Sequence, residues 1–127
     1  MKTKNLPDSL FAIILTIFAP VQAAALAVFA IVIIDLITGV LAARKRKEEI
    51  TSARIRDSVS KLFIYEIALL SALLLENYLL SGMVPAIKIV SAVIGVAEGK
   101  SVLENLDTLQ GGNMFKNLID KLGSSNK

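Results

Sequence analysis

Three carboxylates, Asp35, Glu66 and Glu98, stand in otherwise apolar stretches of this chain. Within a membrane span a carboxylate costs about 2.5 to 3.5 kcal/mol on insertion scales unless it is paired, protonated or wet, so each needs a reason for its place. Asp35 lies nine residues before Arg44, about 13 Å along a helix. It reads either as a buried pair with a neighbouring helix or as a carboxylate facing a pore or proton path. Glu66 follows Lys61 by five residues and approaches the depth of Asp35. Two such carboxylates would have to share a proton, unless Lys61 or Arg56 reaches inward to Asp35 instead. Nearer the other end of the spans, Glu76 is expected to pair with Lys88. Lys88, Ser91, Gly95, Glu98 and Asn105 fall along one helical stripe, and Ser91, Gly95 and Gly99 recur every four residues. Small residues at that spacing let helix backbones pack closely.

The residue types exclude much other chemistry. The chain has no His and no Cys, which removes imidazole bases, thiol nucleophiles and nearly all zinc ligation. It carries no glycine-rich phosphate loop and no nucleophile elbow. We therefore expect no enzyme, no cofactor and no metal.

The elements that must position these residues are membrane helices. Of 127 residues 54% are hydrophobic, with a mean hydropathy of +0.66 and only 6% aromatics; aliphatic side chains in that proportion suit lipid-facing helices better than a small soluble core. The fold class is all-α, an integral membrane protein with about three transmembrane helices. Leu10 to Ala43 is almost continuously apolar and longer than the roughly 20 residues that cross a bilayer. Pro20 is the natural division. Residues 1–20 then form an N-terminal interfacial segment, capped at Asp8 or Ser9, and residues 21–43 the first span. A second span covers 62–80. The third, with its cytoplasmic extension, covers 84–106, opens with Pro85 in its first turn, and continues towards a stop at Gly111-Gly112. The short Ser81-Gly82 connection makes the last two spans an antiparallel hairpin. Residues 113–127 read as a short amphipathic helix and tail, with Met114, Phe115, Leu118, Ile119 and Leu122 on one face.

Charge sets the orientation. The stretch 44–61 holds Arg44, Lys45, Arg46, Lys47, Arg54, Arg56 and Lys61 against three acids. Its place between two apolar runs makes it a topogenic cytoplasmic loop rather than a nucleic-acid site. The C-terminus, with Lys100, Lys116, Lys121 and Lys127, faces the same side. Lys2 and Lys4 argue mildly for an N-terminus on that side as well. The start of the chain also resembles a signal peptide, but nothing downstream looks like a secreted domain, so cleavage is not expected.

Two motifs carry a family resemblance. Asp35-Leu36-Ile37-Thr38-Gly39 matches a D-x-x-T-G pattern closing a first span, and Glu98-Gly99-Lys100-Ser101-Val102-Leu103-Glu104-Asn105 matches E-x-x-S-(I/V)-x-E-N after a last one. In order and separation they resemble the phage lysis and toxin-secretion holin family. The chain departs from that pattern at Arg56-Asp57-Ser58, where a glycine is usual, and at Gly111-Gly112, where a proline is. The resemblance implies a protein of the bacterial inner membrane that forms homo-oligomers and opens lesions for a lytic enzyme (a phage endolysin) or a secreted toxin. It marks Asp35, Thr38, Gly39, Glu98, Ser101, Glu104 and Asn105 as the functional polar residues. An ion or proton channel subunit, or a non-conducting scaffold or antiholin, would fit the same spans.

Overall fold

The computed structural model describes residues 6–124. Lys2, Lys4 and the last three residues of the tail lie outside it. Among the described residues there are four α-helices and no strand. Helix α1 runs from Leu6 to Lys45, α2 from Ser52 to Leu74, α3 from Ala86 to Gln110 and α4 from Met114 to Ser124. A π-helical turn, Leu75–Leu79, extends α2.

α1 corrects the expected division at Pro20. It is one helix of 40 residues, about 60 Å long, and Asp8 and Ser9 lie within its first turns rather than capping it. Proline removes one backbone hydrogen bond. Ending the helix there would strand several backbone groups at once in apolar surroundings, so continuation is the cheaper outcome. The boundary survives in packing instead. Residues 9–20 are exposed on every face, and the contact stripe of α1 begins at Val21, continuing through Val28 and Val32.

The basic loop is also shorter than 44–61. α2 starts at Ser52 after an extended Thr51, because no Gly or Pro interrupts residues 52–80. Arg54, Arg56 and Lys61 therefore ride on a helix. Lys47, at φ 60°, turns the chain out of α1 while Glu48 N–H donates to Ala43 O at 3.0 Å. Between α2 and α3 the chain reverses through Ser81 and Gly82, at φ 48° and 75°. Pro85 precedes α3 instead of entering its first turn, and α3 ends at the left-handed Gly111.

Val21, Val28 and Val32 meet Leu69, Ala72 and Leu73 of α2 and Ala86, Ile87 and Ile94 of α3 in one core. α3 packs more extensively along α1, to which it runs parallel, than along its hairpin partner α2. The outer surface stays apolar, with Phe63 69% and Val96 73% exposed. α1 and the α2 run to Leu79 are long and apolar enough to cross a membrane.

Candidate functional site: a polar layer joining three helices

Each helix sends a charged or polar side chain into one layer where the apolar core ends. Lys61 of α2 stands between two carboxylates, its Nζ 3.1 Å from Asp35 Oδ2 on α1 and 2.7 Å from Glu98 Oε2 on α3. Glu98 is almost fully buried. Tyr65 O–H donates to Glu98 Oε1 at 2.7 Å. The Lys61 ammonium is the close partner of the other oxygen, Oε2. Ionised groups taken from water cost several kcal/mol each, and only close opposite charge and further hydrogen bonds offset this.

Asn105 closes the layer on the α1 side. Its Nδ2 donates to Asp35 Oδ1 at 3.1 Å and to Thr38 Oγ1 at 3.2 Å. The Thr38 hydroxyl in turn donates to Ile34 O at 2.9 Å. A Cβ at Gly39 would lie 3.5 Å from Asn105 Nδ2 and 3.8 Å from Arg54 Nη1, ordinary contact distances, so an alanine fits there. Arg54 donates to Gly39 O at 2.7 Å. A pocket of about 140 Å³ remains beside the layer, lined by Asp35, Gly39, Arg54, Ser58, Ser101 and Asn105 among others.

Five of the motif residues, Asp35, Thr38, Gly39, Glu98 and Asn105, thus come together, and Ser101 borders their pocket. Glu104 does not join them; it is exposed and 3.8 Å from Lys100. Of the two partners weighed for Asp35, Lys61 is the one found. Glu66 and Arg56 stay away from it and have no hydrogen bond or ion pair among the described residues. The expected Glu76–Lys88 pair is absent among the described residues as well, because Glu76 Oε2 instead accepts from Ile87 N–H at 2.9 Å, satisfying a free donor in the first turn of α3. Ser91 bonds its own helix at Ile87 O, and a Cβ on Gly95 or Gly99 would meet nothing within 4 Å.

Tyr65 escaped the sequence reading, although Lys61 and Tyr65 are four residues apart on one helix face, a legible sign. Lys45, read only as topogenic, donates to Leu109 O and so caps α3. Arg46 pairs with Glu48 at 2.7 Å, and Arg44, Lys47 and Arg56 are exposed. Asp107 accepts from the Phe115 and Lys116 N–H groups at 2.9 and 3.1 Å, fixing the start of α4.

This arrangement places one cation between two carboxylates and ties three helices together.

The model of the bacteriophage holin family matches residues 12–125 of the chain. The chain belongs to the bacteriophage holin family. The match includes the whole polar layer and α4, and this holin's family is one of membrane pore-forming proteins rather than enzymes. No curated protein and no solved structure matches it.

Proposed function

We propose that this holin assembles in the bacterial inner membrane and opens lesions that let a lytic enzyme or toxin out. The observation that carries the reading is the polar layer at one end of an apolar, outwardly greasy bundle, immediately beneath the basic segment 44–56. In this reading α1, α2 and α3 all cross, the layer lies at the cytoplasmic face, and the segment 44–61 and the C-terminus are cytoplasmic. α3 carries Lys88, Glu98 and Lys100 and crosses because it is packed along α1. The open line of Ser91, Gly95 and Gly99 is a contact surface for another copy, so Gly95→Leu should lower crosslinked oligomer yield.

Inducible expression in bacteria, with membrane potential and release of a cytoplasmic reporter enzyme followed together, tests the function. Loss of potential accompanied by reporter release is expected. A proton-selective current without release would assign the chain to a small channel class, and neither event would leave an antiholin or scaffold. For orientation, a cysteine replacing Thr51 should resist an impermeant thiol reagent in intact cells and one replacing Gly82 should react; the reverse would invert the topology.

A further inference from the structure

Two ionisable side chains remain unpaired in the part of the bundle that the foregoing reading puts inside the membrane. Lys88 of α3 is exposed and Glu66 of α2 is half-buried, and neither has an ion pair among the described residues. Their depths follow from the helix rise. Lys88 is ten residues from Glu98 in the polar layer, about 15 Å along the helix, and lies in the first turn of α3 beside the reversal at Ser81 and Gly82. Glu66 is five residues from Lys61, about 8 Å along α2 from the same layer. At such depths a lone charge is costly, and ionisable side chains there characteristically face a partner or water.

Among the described residues neither finds a partner. Lys61 is held by Asp35 and Glu98, and Glu76 is engaged by the Ile87 N–H. Lys88 shares its side of α3 with Ala92, Gly95 and Gly99, at helical spacing. Both glycines front open space, so another helix has room to come up against the lysine. Glu66 and Lys88 lie on different helices, have opposite charge, and differ in depth by about 7 Å along the helices, a gap that the flexible four-carbon stem of lysine narrows.

We propose that Lys88 of one copy pairs with Glu66 of the next, so that each interface of the assembly is closed by an ion pair inside the membrane. The partner is a second copy of this chain, chosen because one molecule carries both unsatisfied charges on surfaces that its own fold leaves open. This deepens the oligomeric reading above and rests on it. The pair gives the assembly a direction, head to tail, because each copy contributes a different residue to its two neighbours.

Charge exchange between separate chains tests it. Glu66→Lys and Lys88→Glu, each expressed alone, put like charges together at every interface, and crosslinked ladders should fall roughly tenfold or more. Expressed together, the two variants offer opposite charges at every mixed interface, and ladders containing both tagged chains should return. Glu66→Gln and Lys88→Gln, which remove charge without adding repulsion, should give intermediate yields and serve if a charge-reversed chain fails to enter the membrane. Ladders at parental yield from all single variants would overturn the proposal. Recovery only when both changes sit in one chain would place the pair within a single molecule and overturn it equally. An impermeant amine reagent that modifies Lys88 in assembled parent protein would show the lysine in external water, again against the pair. Reporter release, measured on the same cells, keeps the two ideas separate: mixed ladders without release sink the lesion reading and leave the pair standing.

Discussion

The two ends of the bundle handle charge in opposite ways. At the polar layer, Lys61, Asp35 and Glu98 come from three helices, and the one ammonium lies within 3.1 Å of both carboxylates. Towards the hairpin turn, Glu76 serves its own connection, Lys88 has no ion pair among the described residues, and residues 10–20 of α1 are exposed on every face. One end is therefore a closed junction that fixes how the helices sit, and the other is an open one whose surfaces are left for lipid and for neighbours. The same residue type, lysine, is structural in the first setting and available in the second. What separates them is whether a carboxylate lies within reach.

Making the same substitution at both ends tests this contrast most directly. Lys61→Met leaves two carboxylates facing each other without a cation. Breaking a buried pair costs about 3 to 5 kcal/mol, and since Lys61 is about one-third exposed we expect about 3 kcal/mol, at the low end. Lys88→Met should leave the stability of the isolated chain nearly unchanged. Denaturant unfolding of detergent-solubilised protein measures both, and equal losses would erase the distinction between the ends.

Tyr65→Phe removes the hydroxyl donated to Glu98 and should cost about 2 kcal/mol, the range for a hydrogen bond to a charged group. If the layer acts as one unit, Asp35→Asn and Glu98→Gln should be non-additive in the same assay, by about 1 kcal/mol or more. Asp57→Asn, on the exposed side of α2, serves as the control. Additive losses would reduce the layer to independent contacts.

Beyond the layer, Asp107→Ala should free the first turn of α4. Loss of a helix cap costs about 1 kcal/mol, visible as faster amide exchange at Phe115 and Lys116 with α1 to α3 unaffected. Unchanged exchange would mean that α4 is held by its side chains alone. The smallest effect belongs to the surface pair of Arg46 and Glu48. The hydrogen bond from Arg46 holds the Glu48 carboxyl below the usual carboxylate range. A lowered folded value means that its contribution is present above the ordinary carboxylate pKa and is lost as pH falls through the folded one. Both groups are fully exposed, so carboxyl titration by NMR should register the shift while overall stability scarcely responds.

The amino-acid sequence alone determined that this chain is helical and belongs in a bilayer, since aliphatic content and run length depend on nothing but composition and order. It also marked Asp35, Thr38, Gly39, Glu98 and Asn105, because polar residues in apolar runs are conspicuous wherever they pair. It could not tell which partner each would find. Lys61 was legible as one of two candidate partners for Asp35, but that α2 begins ten residues earlier than the apolar run and carries it beside Glu98 as well was not. Pro20 looked like a break until the neighbouring apolar run kept α1 whole. Glu76 and Lys88 looked like a pair until the reversal at Ser81 and Gly82 brought the Ile87 N–H to Glu76 first. In each case local residue type sets the need, for a counter-charge or a hydrogen bond. Only the packing of helices distant in sequence decides which group meets it, because contact across helices depends on register and rotation that no single segment encodes.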